Sequence, residues 1–580
     1  MSRFADPRRR LRSLPSPSLL PEDEDKSTSN NGTFTFLARK GGKKGKHIFS
    51  TSFAWGKTIF LAVGTTLLLQ SFRAVSKVAH LKIATSTSGI TQEYDAVIVG
   101  AGWAGIRAAE ILIKGGVENI LVLEAHNYIG GRSKSINLDN SINNPSMHSN
   151  FTNIPFDMGA EWLYADTEME DALINGGFMK GVQTRKPDAY FIPIVDSAFY
   201  LQTDVEEVSD GGTTKNDAAT VQTERMRDVN AKELERRVWG GFKKYRKTLL
   251  AKRGKDRSYW SAVEKYKERL TDEIDIQFLD MVLAAAGQVD LADDITKLSL
   301  VEHKINEHKP DPAYYTSVPG VGYGNAAAKY AAPLVAHKVQ LNSKVTEIDY
   351  SNPSSALVSF TTNDEEESRV HAKTVLVTAS LDVLKAGNIK FTPRLPHWKQ
   401  EAIDGMGFGT MNKCVLIWND PSAAIWPDAK EWIELLPPKD ENSGKWTTFW
   451  NPTKYKGIPI LVGFVGGENA RYMETQTDEE ILDDVMINLK AMFPTITLPD
   501  RHLVSRWGSD ESVLGTYSYK IVGRNASKDQ KQLRKAVENI WFAGEATSSW
   551  YGTTIGAWDT GEMAAKGMLK VLSTGTTSVN

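Results

Sequence analysis

Along the chain the distribution of apolar and polar positions changes character twice. Met1 to Lys46 has no hydrophobic period and is rich in Ser, Pro, Gly and Arg, with a basic triplet Arg8-Arg9-Arg10 and an acidic run from Glu22 to Asp25. Such a stretch buries too little apolar surface to fold, so residues 1–52 are expected to form a disordered cytosolic tail. Phe53 to Phe72 is apolar apart from Lys57. Crossing a bilayer takes about 20 residues, so 53–75 is expected to be a transmembrane anchor. Basic residues crowd ahead of it (Arg39, Lys40, Lys43, Lys44, Lys46) and thin out behind it (Arg73, Lys77, Lys82). That asymmetry places the remainder in the lumen of the secretory pathway as a single-pass membrane protein. A cleaved targeting segment on an organelle-targeted soluble enzyme, or a buried helix, are the other readings of the same run. Sequons at Asn150 and Asn525 are compatible with a lumenal domain.

From Tyr94 onward short apolar, β-branched runs (Asp95–Val99, Ile120–Leu123, Thr374–Ala379, Ile458–Gly467) alternate with helical periods at Ala104–Lys114 and Glu479–Met492. Strands that are apolar on both faces are buried parallel strands, so the pattern predicts an α/β fold. Residues 201–275 are highly charged, with helical character around Glu224–Arg246, and read as solvated helix faces.

Composition narrows the chemistry. The 69 Lys and Arg nearly balance the 71 Asp and Glu, for a formal net charge of −2, which argues against nucleic-acid binding through a basic surface. Hydrophobic residues at 41% and charged ones at 24% fit a globular protein. The single cysteine, Cys414, excludes an internal disulfide, a cysteine-rich zinc site and an iron–sulfur cluster. Among ten histidines none pairs at i, i+4 beside a Glu, so no metal site is expected. Redox chemistry would therefore come from a bound organic cofactor or a non-cysteine metal site.

The strand Asp95–Val99 runs directly into Gly100-Ala101-Gly102-Trp-Ala-Gly105, a helix, a Gly115-Gly116 stop, and a second strand ending at Glu124. This is the dinucleotide-binding fingerprint in its full context. Gly100 allows the tight turn, Gly102 the approach of the pyrophosphate, and Gly105 the close packing of helix on strand. The helix N-terminus offers free N–H groups to phosphate. Glu124, 19 residues past Gly105, can accept hydrogen bonds from the ribose hydroxyls.

With Gly130-Gly131-Arg132 following at once, the chain resembles the flavin-containing amine oxidases, the family of monoamine and polyamine oxidases, from about Tyr94 to Leu572. The resemblance implies a Rossmann-like FAD-binding domain (93–165, 313–385, 501–572) interleaved with an α+β substrate domain of mixed sheet and helices (166–312, 386–500). Arg132 and the glycines before it would form a second clamp on the FAD phosphates. Phe156 to Trp162, with Gly159, Ala160 and Trp162, looks like the segment passing the flavin ring. Val345 would meet the adenine through its backbone. Trp507 lies in a segment similar to the one lining the flavin. Gly544-Glu545 and Thr553-Thr554 match the C-terminal FAD signature, the last two at a helix start facing the flavin pyrimidine edge.

Lys413 matches the family lysine that holds a water against the flavin's reactive nitrogen. Tyr517 matches one wall of the aromatic cage that steers the amine, while the opposite wall, often Tyr, falls on Thr553. Thr516 stands where monoamine oxidases carry the cysteine that attaches their flavin, so the FAD is expected to be non-covalent. Asp157 and Glu161 are candidate carboxylates for a cationic substrate. The resemblance thus implies oxidation of a small amine, a polyamine above all, with molecular oxygen as second substrate and hydrogen peroxide as product. An L-amino-acid oxidase or desaturase of the same superfamily, and a non-catalytic membrane-anchored flavoprotein, are the alternatives.

Overall fold

In the computed structural model the described residues run from 92 to 574, with internal stretches such as 139–153, 186–196, 204–221, 303–313 and 437–444 left outside them. The expected tail 1–52, the apolar run 53–75 and the sequon at Asn150 lie outside the described residues. Among the described residues no helix is long and apolar enough to cross a membrane.

The strand Glu93–Val99 and its parallel neighbours Ile120–Leu123 and Glu367–Val377 form the centre of an eight-stranded sheet. Ile120–Leu123 is buried at every position, as expected of a strand covered on both faces. Val339–Gln340 extends the sheet on one side, and Ala356–Thr362, Ser343–Asp349 and Lys390–Thr392 extend it on the other. Ile540–Phe542 adds in parallel beside Glu367–Val377. The backbone leaves the first strand through Gly100 at φ +102°, a region open to glycine, and enters the helix Trp103–Lys114. A Cβ on Gly105 would stand 2.0 Å from the Gly100 carbonyl oxygen, so helix and turn touch at backbone distance. On its other side this helix packs against the C-terminal helix Thr554–Thr574 through Ala104, Ala108, Leu112, Ala564, Ala565 and Met568.

A second, seven-stranded sheet runs Arg501–Val504, Met411–Ile417, Ile460–Gly466, Thr448–Trp450, Trp432–Leu436, Ser197–Thr203, Gln222–Arg225. The two sheets therefore draw on alternating stretches of one chain. Two elements fall across the expected boundaries. Lys390–Thr392 pairs with Glu347–Asp349 in the first sheet, and Arg501–Val504 pairs with Cys414–Ile417 in the second. The charged stretch is also less uniform than its composition suggests. Gln222–Arg225 is a strand paired to Tyr200–Thr203, and helix begins only at Asp228. Cross-strand pairing decides there, where charge pattern alone favours helix.

One buried cation ties the helix His397–Gly405 to its neighbour. The Lys399 ammonium donates to the main-chain carbonyls of Gln532 (2.9 Å), Leu533 (2.7 Å) and Lys535, at the C-terminal end of the helix Ala526–Arg534. It also lies 3.9 Å from the centre of the Phe542 ring. The carbonyls at the negative end of the helix dipole favour the charged amine, while burial pulls it down to about 6; of the three, the Gln532 carbonyl also accepts the Lys535 N–H. Lys399→Met would leave the Leu533 carbonyl buried without this donor, at a cost of about 2 kcal/mol. Thermal unfolding is expected to shift down by several degrees; an unchanged Tm would show that the cap carries no stability.

Candidate active site

Glu124, at the end of the second strand, does not stand free beside the glycine turn. Its Oε2 accepts the Ala101 N–H at 2.6 Å and its Oε1 accepts the His126 N–H at 2.8 Å. The carboxylate therefore fixes the turn it follows in the fingerprint. The His126 ring sits between Glu124 Oε1 (3.1 Å) and Asp510 Oδ2 (2.9 Å) and stacks on Tyr128. Burial alone would push the imidazole down, but hydrogen bonds to Asp510 and Glu124 outweigh it and hold the group up at about 9.

Further along, Arg132 Nη1 donates to the Thr516 carbonyl (2.5 Å) and to Glu545 Oε1 (3.0 Å), and its guanidinium faces the Phe408 ring. The other Glu545 oxygen accepts from Ser518 Oγ and from the Gly552 N–H, both at 2.7 Å. These bonds join three stretches that are far apart in sequence. The Arg132 carbonyl meets the chain passing Gly159. A Cβ at 159 would be 1.8 Å from that oxygen and 3.1 Å from the Trp507 ring, so only glycine fits. Trp507 in turn donates its indole N–H to the Met158 carbonyl at 3.3 Å.

The far end is built on the strand Met411–Ile417. Lys413 is buried there, and its ammonium donates to the Asp157 carbonyl (2.9 Å), the Gly159 carbonyl (3.0 Å) and Glu161 Oε2 (3.0 Å). Burial pushes the Glu161 carboxyl up from its ordinary value, against the pull of Lys413 and Lys456. Asp157 points elsewhere. Its carboxylate accepts from Ser135 Oγ and from the Tyr323 N–H (2.8 Å), at the start of the helix Tyr323–Val335. Asp157 is thus placed as a helix anchor, and what it offers the site is its carbonyl. Tyr517 packs its ring over Gly552. Thr553 Oγ1 accepts the Gly556 N–H at 3.0 Å and donates to the Trp550 carbonyl, while Thr554 pairs with the Tyr323 hydroxyl at 2.8 Å.

A cavity of about 320 Å³ connects these three regions. Gly100, Gly102, Glu124, Gly131, Arg132 and Val345 line one part, and Glu545, Trp507 and Gly544 lie further in. Gly159, Ala160, Glu161, Trp162, Lys413, Tyr517, Thr553 and Thr554 line the remainder. Ala101, Gly105 and Asp157 stand behind this lining. The helix start at Trp103 has no side-chain cap, so its N–H groups face the cavity, as does the start of the helix at Thr554. An uncapped helix N-terminus at Trp103, a glycine turn and an arginine suit a bound dinucleotide phosphate, while the helix at Thr554 has its Gly556 N–H taken by Thr553. His126, Asp510 and Lys456 were not marked by the sequence. A basic side chain two residues past the fingerprint acid was the available signal for the first. Among the described residues one carboxylate triad, Asp293, Asp294 and Glu468, approaches cation-binding geometry. Arg471 and Lys297 already pair with Asp293 and Glu468.

The sequence profile of flavin-containing amine oxidoreductases matches residues 103–569. The chain belongs to that family. Polyamine oxidase 2 of Arabidopsis thaliana is 40% identical over 196 residues, which are 34% of this chain and 38% of that protein. Polyamine oxidase 4 of Oryza sativa is 28% identical over 471 residues, 81% of this chain and 87% of the relative. The solved structure of a putrescine oxidase bound to putrescine superposes with a TM-score of 0.60 at 19% identity, over 83% of this chain and all of that one. At that identity the likeness shows a common fold, the one with a Rossmann-like dinucleotide-binding sheet.

The family's cofactor end carries a pH signature in this member. With His126 held at about 9, above its ordinary 6.5, the group binds a proton more tightly folded than unfolded. Its contribution is fully present below about pH 6.5 and is lost as pH rises through about 9, amounting to at most about 3 kcal/mol. Urea unfolding of His126→Gln is expected to show a flatter stability–pH curve between 6.5 and 9 than the native chain; parallel curves would refute the coupling.

Proposed function

We propose that this protein is a polyamine oxidase that holds FAD non-covalently. The observation that carries the reading is one continuous cavity with a dinucleotide-binding turn at one end and the buried Lys413–Glu161 pair beside Tyr517 at the other. Bound FAD would supply the hydride acceptor for the carbon next to the amine nitrogen, the imine then hydrolysing to an aldehyde, with oxygen as final acceptor and hydrogen peroxide as product.

The chain's own groups supply position and dryness. Glu124 braces the glycine turn under the pyrophosphate site, and Arg132 with Glu545 fixes the middle of the cavity. Trp507 and Gly159 close the wall beside the flavin position. Tyr517 offers an aromatic face to a cationic amine, and with Thr553 opposite, that end of the cavity is wider than a pair of tyrosines would leave it.

Three further observations support the finer points. The names of the plant relatives support a polyamine. Arg132 is the arginine of the cavity lining among the described residues and is committed to Glu545, which disfavours clamping an amino-acid carboxylate. Thr516 has no thiol, and Cys414 is fully buried with its thiol pushed up to about 12 by burial, which supports a flavin held without a cysteinyl bond. Acid denaturation is expected to release all the flavin. Anaerobic mixing with spermine, spermidine or putrescine should bleach its absorbance, with monoamines and amino acids far slower. Bleaching by leucine or phenylalanine alone would refute the assignment.

For the run Phe53–Phe72 the proposal is a single-pass anchor with the catalytic unit on the lumenal side, supported by its basic N-terminal flank. A C-terminal tag should be protease-protected in intact microsomes; digestion without detergent would overturn this.

A further inference from the structure

Two carboxylates from distant stretches of chain meet on one imidazole. His126 Nδ1 lies 3.1 Å from Glu124 Oε1, and its Nε2 lies 2.9 Å from Asp510 Oδ2 and 3.1 Å from Oδ1. A neutral imidazole has one N–H and could serve only one of these carboxylates, so the arrangement fits the protonated ring, with a donor on each nitrogen. His126 and Glu124 both line the cavity, at the end formed by the glycine turn. Asp510 stands just behind the lining, in the loop from Gly508 to Gly515, while Glu511, Ser512 and Val513 of that loop are part of the cavity wall.

The loop is anchored at both ends and tied across its middle. The Gly508 N–H and Ser509 Oγ donate to the Glu474 carboxylate at 2.7 and 2.6 Å. At the other end Ser380 Oγ donates to the Val513 carbonyl at 2.6 Å, and Leu514 and Gly515 turn the chain with φ of +59° and +143°. Between these anchors two ion pairs hold the loop. Lys344 meets Glu511 at 3.0 Å, but the Glu511 side chain is 82% exposed, and such a surface pair contributes little. His126 and Asp510 are only 16% and 25% exposed, so theirs is the stronger tie.

We propose that His126 is a cofactor-retaining positioning residue: by tying Glu124 to Asp510 it fixes the fingerprint acid and keeps the loop 508–515 closed over the adenosine end of the cavity. This rests on the reading of the cofactor as FAD and deepens it, since a flavin held without a covalent bond stays only as long as its site stays shut. Each carboxylate oxygen has two lone pairs, so Glu124 keeps acceptor capacity for the ribose hydroxyls while it holds the Ala101 N–H and the ring.

The groups facing the imidazole are Glu124 from the second strand, Asp510 from the loop, and Tyr128, stacked on the ring. Lys134 lies over the other partner of that stack, 5.3 Å from the Tyr128 ring, and acts on Asp510. Burial pushes the Tyr128 phenol well up, so it stays neutral where the imidazole titrates. With His126 held at about 9 by its two carboxylates, the bridge is complete below that pH. Above it one carboxylate loses its donor, and the two acids repel across the ring.

The test follows release of flavin from the full-length holoprotein by the recovery of flavin fluorescence on dilution, between pH 7 and 10, after the extracted cofactor has been identified by chromatography. In the native protein the release rate is expected to climb as pH passes through about 9. Asp510→Asn should release flavin about 10-fold faster at pH 7 and move the climb to lower pH, because one of the two charges that hold the proton is gone. His126→Gln should release it fast throughout, with the climb abolished. A role confined to folding would speed release without moving the pH midpoint, and that outcome would overturn the proposal, as would equal rates in all three proteins. A native release rate that is flat from pH 7 to 10 would overturn it even if neither variant folds. If the extracted cofactor is not FAD, the cofactor reading itself fails and takes this inference with it; if it is FAD and the release data go the other way, only the bridge fails.

Discussion

Backbone contact between the helix Trp103–Lys114 and the turn before it is the constraint on which the rest of the cofactor end depends. With 2.0 Å between a notional Cβ at 105 and the Gly100 oxygen, any side chain there would push the helix off the sheet. Because the helix sits so low, its first N–H groups reach the cavity, and Glu124 can bond the Ala101 N–H across the turn. The same helix carries the small residues against which the C-terminal helix packs, and that packing aims the start of the C-terminal helix at the opposite end of the cavity. One close approach thus places both helix N-termini.

Charge pairs then join parts of the chain that the two sheets keep apart. Arg132 and Glu545 are 413 positions apart in sequence, and Glu545 also holds Ser518 and the Gly552 loop. A bidentate carboxylate serving an arginine, a hydroxyl and a main-chain N–H is a hub whose value is orientation, since partly buried ion pairs contribute little net stability. It keeps Tyr517 and Thr553, on the two strands of chain that follow, in a fixed relation.

Whatever is local in the fold was legible in the sequence. The strand, glycine turn, helix and second strand were readable because period and turn chemistry sit within thirty residues. The boundaries at 385 and 500 were not, because Lys390–Thr392 and Arg501–Val504 are placed by partners more than forty residues away. The site divides the same way. Glycines and Glu124 announced themselves by spacing. Asp157 and Glu161 looked equivalent as nearby carboxylates on one segment, and only the helix start at Tyr323 and the ammonium of Lys413 distinguish them. His126 was invisible because its second partner, Asp510, is 384 positions away.

The Lys413–Glu161 pair shows why such a feature persists. A buried ion pair can often be replaced by apolar residues of similar volume without loss. Here that exchange has a further cost, because the ammonium also serves the Asp157 and Gly159 carbonyls. Apolar residues at 413 and 161 would remove both charges and leave two buried main-chain acceptors unpaired. The lysine is therefore fixed by the backbone it holds, and the glutamate by the lysine.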